Sequence, residues 1–352
     1  MRMKLKRPAS VFMLFLFGCW LIVQFIFGGV VAVMYLLGHP LNVMENLWIM
    51  GAIQLVGLLL PLFLWLLITG DSFKRNMPTR PLGSTNMILV IAMSFLIIPA
   101  AMLISAISSQ FVTNDVAEML QGLSAQPWWL MMLIFAVIPG VVEELVFRGY
   151  IQTNTRGSVT KIAVLNGFLF GLMHLNLHQF GYTFLLGVVF AYMVHYTKNI
   201  WAGIIPHFIM NGTNVTLSHW VLGNMENGAA EVTLAQELYD ALAPTHPDFA
   251  RRAYEWACGI NEELFAIAAI GFIAVFATAV FAVLFVNFVS HNRRRAAMFE
   301  TPQEEAPVEE TEVSVEETEV TVETKRFSPD WCLIAVVVLY LLVVVPTTIL
   351  LS

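Results

Sequence analysis

Long apolar runs separated by short polar breaks dominate the chain. They fall at about 11–37, 47–69, 86–109, 127–148, 159–177, 180–196, 200–222, 263–290 and 331–350. At a rise of about 1.5 Å per residue, most can cross a hydrocarbon core about 30 Å thick. They are too long for barrel strands, and a helix satisfies its own backbone groups where lipid offers no partner. The pattern predicts an all-α, polytopic transmembrane bundle of about eight to nine helices. The first run is about twice as long as the apolar core of a secretory signal, so it reads as an uncleaved first helix.

Composition sharpens this picture. Hydrophobic residues make up 58% of the chain and charged residues 12%, against about half and about a quarter in a soluble domain. The net charge of −7 misleads, because ten glutamates lie between positions 300 and 324, where no basic residue occurs. Without them the balance is positive. The stretch "EEAPVEETEVSVEETEVTVET" is acidic and free of aromatics, and is expected to be a disordered linker. Cys19, Cys258 and Cys332 show no metal-ligand spacing and no disulfide framework. No nucleic-acid partner is expected.

Lysine and arginine set the expected orientation. Arg2, Lys4, Lys6 and Arg7 precede the first run, and Lys74, Arg75 and Arg80 follow the second. Arg148, Arg156 and Lys161 surround the end of the fourth, Lys198 follows the sixth, and Arg293, Arg294 and Arg295 follow the eighth. With nine spans all of these share one side. The intervening segments 38–46 and 110–126 carry neither lysine nor arginine, while Arg251 and Arg252 in the long segment 223–262 break the pattern. The expectation is a multi-pass protein of the plasma (cytoplasmic) membrane with a cytoplasmic N-terminus. In segment 223–262, "EVTLAQELYDALA" has helical spacing, as a cover packed on the bundle or as an interfacial amphipathic helix.

Ionisable groups inside a membrane are costly and mark function by default. Three clusters stand out. In "EELVFR", Glu144 and Arg148 are four apart on one helical face and can neutralise each other, whereas Glu143 points away and needs another partner. In "FLFGLMHLNLH", His174 falls deep in the fifth run; His178, one turn on, reads as packing or loop. In "IIPHFIMNGTN", His207 and Asn211 share a face, with Asn214 turned partly off it. Each cluster alone also has a structural reading: a charged helix end, a packed histidine, or an inter-helix hydrogen-bond pair. Together, Glu143, His174, His207 and Asn211 could face one cavity open toward the cytoplasm, provided that tilt or a shifted boundary brings His174 level with the rest. A carboxylate, two imidazoles and an amide suit hydrolysis: a base for water and donors for an oxyanion.

These motifs resemble the CPBP intramembrane endopeptidases, which include the type II CAAX prenyl protease and bacterial relatives. "EELVFR" (Glu143, Glu144, Arg148), "FGLMH" (Phe170, His174) and "HFIMN" (His207, Asn211) follow the family pattern in order, within residues 86–222. The resemblance implies a helical membrane core that cleaves a peptide bond near the cytoplasmic face. Glu143 would activate water with help from His174. His207 and Asn211 would stabilise the oxyanion, and Glu144, Arg148 and Phe170 would support them. The substrate would be a peptide or protein, lipidated ones included, met in membrane lipid. No cofactor is favoured. The chain lacks HExxH, but Glu143, His174 and His207 form a recognised zinc-ligand set, so a divalent metal is the alternative.

The chain then divides into N-terminal membrane helices (1–85), the catalytic core (86–222), an outer loop with the eighth helix (223–298), the acidic linker (299–328) and a last helix (329–352), expected to be an anchor outside the functional core. Two competing functions are a non-catalytic member of the same family, in peptide binding or bacteriocin immunity, and a proton-coupled transporter, whose expected internal repeat is absent from the sequence.

Overall fold

A computed structural model describes residues 9–39, 46–123, 125–226, 239–240, 242–258, 262–299 and 331–351. The acidic segment, residues 1–8 and most of "EVTLAQELYDALA" lie outside this set. Among the described residues there is no strand, only an isolated bridge between Thr79 and Asn199.

The elements are α1 (Ala9–Leu36), α2 (Leu47–Thr69), α3 (Phe73–Asn76), α4 (Ser84–Ser108), α5 (Asp115–Gly122), α6 (Trp128–Asn154), α7 (Val159–Met173), α8 (Leu177–Thr197), α9 (Trp201–Glu226), α10 (Pro247–Cys258), α11 (Glu262–Phe299) and α12 (Trp331–Leu351). Among the described residues, six helices are long and apolar enough to cross a membrane: α1, α2, α4, α6, α8 and the Ala266–Met298 portion of α11. The protein is thus an all-α, multi-pass membrane bundle. Apolar side chains such as Phe25, Leu67, Ile88, Phe272 and Phe276 cover its outside, as a surface in contact with lipid requires.

Each apolar run of the sequence becomes a helix, with shifted ends. Asn46 and Asn176 cap α2 and α8, accepting from the backbone N–H groups of Ile49 and Gln179. The fifth helix stops at Met173 rather than reaching 177, and Leu175 turns the chain at a φ of 49°. The fourth continues past 148 to Asn154 and is partly π-helical, over Leu133–Val137 and Leu145–Ile151. Pro139, two residues beyond the first π segment, cannot donate a backbone hydrogen bond, so the regular ladder is broken there. The short helices α3, α5 and α10 lie in stretches that carry no long apolar run.

In lipid, helices associate through close packing rather than through the exclusion of water. Glycine sets the approach between α7 and α8: a Cβ at Gly187 would lie 2.6 Å from Gly167 Cα, and one at Gly167 would lie 2.7 Å from the Phe184 carbonyl oxygen. Buried Asn86 and Asn292 exchange side-chain hydrogen bonds of 3.0 and 2.8 Å and tie α4 to α11. The last helix packs on the bundle. Its Val336, Tyr340 and Val344 are buried in the same cluster as Phe12 and Phe17 of α1 and Phe170 of α7.

Hydrogen bonds identify the two ends of the bundle. At one end Arg80 N–H donates to Lys198 O (2.9 Å), Asn154 Nδ2 donates to Asn76 Oδ1 (2.8 Å), and Arg295 NH1 donates to Leu82 O (2.6 Å). The basic loops are therefore gathered together, as the charge pattern predicts. At the other end Ser109 Oγ meets His178 Nε2 (2.9 Å) and Asn176 Nδ2 donates to Asp115 Oδ2 (3.1 Å).

Candidate active site

The three polar clusters converge. Glu143, His174, His207 and Asn211 all line one cavity of about 220 Å³. They come from α6, the C-terminal cap of α7, and α9. Because α7 ends at Met173, His174 sits at a helix end, turned into the cavity beside His207. The depth mismatch suggested by the sequence is a boundary shift. His178 lies elsewhere, buried in the first turn of α8 and bonded to Ser109.

The floor of the cavity is a buried ionic cluster. Arg148 NH1 lies 2.6 Å from Glu144 Oε1, and neither side chain has any solvent exposure. The guanidinium also donates to the Gly187 carbonyl oxygen (3.2 Å) and lies over the Phe170 ring at 4.4 Å. His207 Nδ1 is 3.0 Å from the same Glu144 oxygen. A carboxylate accepts, so Nδ1 carries a proton and donates it there. This third partner changes the sequence reading, in which Glu144 and Arg148 form a closed pair. The other oxygen of Glu144 lies against α9 at Gly203, where a Cβ would overlap it.

Glu143, as expected, points away from that pair. Its Oε1 accepts from Gln54 Nε2 of α2 at 3.4 Å. Its Oε2 is buried, has no hydrogen-bond partner among the described residues, and lies 3.9 Å from His207 Nε2. That separation exceeds direct hydrogen-bond reach but lets one water touch both groups. His174 Nδ1 lies 2.8 Å from the Phe170 carbonyl oxygen. It must donate to that acceptor, which leaves Nε2 as the free ring position. The Phe170 ring stands edge-on to both imidazoles, at 4.9 Å from His174 and 5.6 Å from His207. It acts as a spacer that keeps them apart.

Among the described residues no three His, Cys, Asp or Glu side chains converge as a metal-ligand group. The alternative zinc set of Glu143, His174 and His207 lines the cavity without forming such a cluster.

The cavity runs away from the basic end. Beyond the catalytic candidates it is lined by Gln179, Tyr182 and Thr183 of α8 and by Val116, Met119 and Leu120 of α5. On the basic side Glu144, Arg148 and Phe190 are buried and close it. A cavity opening toward the basic loops is therefore not what the lining describes. The sequence reading did not identify Gln54 or α5. Gln54 had a usable signal, being the lone side-chain amide in the apolar run 47–69. The short helix α5 had none until its apolar face was seen turned inward.

Residues 125–213 match the family model of the type II CAAX prenyl endopeptidase, Rce1-like. The matched segment contains all three motifs, and the family is one of membrane proteases acting on peptide or protein substrates. No curated protein and no solved structure matches the chain.

Proposed function

We propose that the protein is an intramembrane endopeptidase in which Glu143 activates water without a resident metal. A water held between Glu143 and His207 attacks the scissile carbonyl carbon. As the oxygen–carbon bond forms, Glu143 takes the water proton and the carbonyl electron pair moves onto oxygen. Asn211 and His207 stabilise that oxyanion. To donate, His207 Nε2 must itself be protonated, and Glu144 on the opposite nitrogen balances the resulting imidazolium. On collapse, the carbon–nitrogen bond breaks and Glu143 returns its proton to the leaving amine, with His174 assisting.

The observation that carries this reading is the pairing of Glu143 Oε2 with His207 Nε2 at 3.9 Å inside the shared cavity. The metal-free form is supported by the environment of Glu143, whose Oε1 takes an amide donor. The positive-inside rule puts the basic end and the N-terminus in the cytoplasm of a cell bounded by this membrane. His207 lies roughly 9 Å along α9 from that end, so the cut falls in the cytoplasmic half of the bilayer. The substrate is a peptide segment reaching into the bilayer and entering from the side of α5, lipidated peptides included.

The test is cleavage by purified protein in liposomes, using a farnesylated CAAX-type peptide, together with a comparison of new protein termini in cells carrying wild type or Glu143→Ala. Cleavage lost in folded Glu143→Ala and His207→Ala supports the proposal. Undiminished proteolysis by Glu143→Ala overturns it.

A further inference from the structure

We infer that Gln54, on α2 and outside the family-matched segment, is a positioning residue that fixes the orientation of the Glu143 carboxylate. The inference rests on the reading of Glu143 as the group that activates water. Gln54 lies in an otherwise apolar helix and lines the cavity. A lone amide in lipid-spanning helix is unfavourable unless it finds a partner. Its partner is Glu143 Oε1, at 3.4 Å. The donor must be Nε2, because an ionised carboxylate offers no hydrogen.

The geometry gives this contact a consequence. The terminal torsion of a glutamate is broad, so an unsupported carboxylate rotates freely about its last bond. A donor on Oε1 restricts that rotation and leaves Oε2 as the oxygen facing His207 Nε2 at 3.9 Å. Orientation of this kind is worth a large part of a catalytic rate. The sequence of α2 also brings the amide within reach. Gly51, one turn before Gln54 and on the same face, is buried against α6, where a Cβ would come within 2.6 Å of Ile134 Cδ1. A larger residue there would force the Ile134 side chain to move aside.

An inter-helix glue role would rest on the same hydrogen bond, so the test must separate the two. Gln54→Met keeps length and lacks the donor. Gln54→Asn keeps the amide and withdraws it by one methylene. Both are compared with wild type in liposomes, using the farnesylated CAAX-type peptide for kinetics. Infrared spectroscopy then follows the Glu143 carboxylate band, assigned by its loss in Glu143→Gln. The expected result is a fall in kcat of at least about tenfold per folded molecule in both variants, with KM within about twofold. The Glu143 band is expected to shift in Gln54→Met. A purely structural role lowers the unfolding midpoint and shifts the band but leaves kcat per folded molecule unchanged. An unshifted band, or kcat within about twofold of wild type in both variants, overturns the inference. If wild type does not cleave the peptide, the endopeptidase reading suffers, while the infrared comparison still decides the contact between Gln54 and Glu143.

Discussion

His207 and Glu144 are joined by a 3.0 Å hydrogen bond from Nδ1 to Oε1 at the cavity floor. The same carboxylate oxygen holds Arg148 at 2.6 Å. Two adjacent glutamates therefore have different tasks. Glu144 orients a histidine and neutralises a buried arginine, whereas Glu143 faces the cavity.

This division predicts different phenotypes for neighbouring substitutions. Glu143→Gln should abolish peptide cleavage with little effect on unfolding, since Glu143 makes only a 3.4 Å bond to Gln54 and a 3.9 Å approach to His207, and its loss leaves no buried arginine uncompensated. Glu144→Ala should abolish cleavage and also destabilise the fold by about 3–5 kcal/mol, because Arg148 is left buried without its counter-charge. Denaturant unfolding in mixed micelles, read beside cleavage, separates the two. Equal stability losses would contradict the assignment.

Gly203 is a second test of the floor. A Cβ there would overlap Glu144 Oε2 and come within 3.1 Å of Val194 Cγ2. Gly203→Ala should displace the carboxylate and with it the His207 ring. A stability loss of about 1–3 kcal/mol is expected from overpacking, with cleavage reduced by at least about tenfold as orientation is lost. Wild-type rates in this variant would mean that the Glu144–His207 contact is not needed.

Removal of metal should leave activity intact. Dialysis against a strong chelator, followed by elemental analysis and the peptide assay, is expected to change the rate by less than about twofold. Loss of activity restored by zinc would instead favour Glu143, His174 and His207 as ligands, with the water-activating role passing to another group.

Access to the cavity should pass α5. Single cysteines at Val116 and Met119, in a background lacking Cys19, Cys258 and Cys332, should react with a water-soluble maleimide added to the face opposite the basic loops. Saturating farnesylated CAAX-type peptide should slow that reaction. Labelling only from the basic side, or no protection by peptide, would show that α5 does not border the route in.

Much of the site was legible from spacing. Glu144 and Arg148 are four apart, His207 and Asn211 are four apart, and such pairs share a face in any regular helix. The separation of Glu143 from that pair followed from the same geometry. His174 was harder to place, because apolar periodicity ran on to Leu177 while the helix ends at Met173. A chain reversal at Leu175 leaves no mark in hydropathy. The packing of the last helix was not legible for a related reason: an apolar run after an acidic segment looks the same whether it stands apart or packs on α1.

The sequence by itself determined that this chain builds a helical membrane bundle, because apolar runs of this length leave no other way to satisfy the backbone in lipid. It also determined which ionisable residues had to find one another, since each would be costly alone. Tertiary structure decided the rest: that one oxygen of Glu144 serves both Arg148 and His207, that Gln54 reaches Glu143 from a distant helix, and that α5 borders the cavity. These depend on how closely helices approach at Gly51, Gly167, Gly187 and Gly203. Close approach is a property of pairs of surfaces, and no single run of residues encodes it.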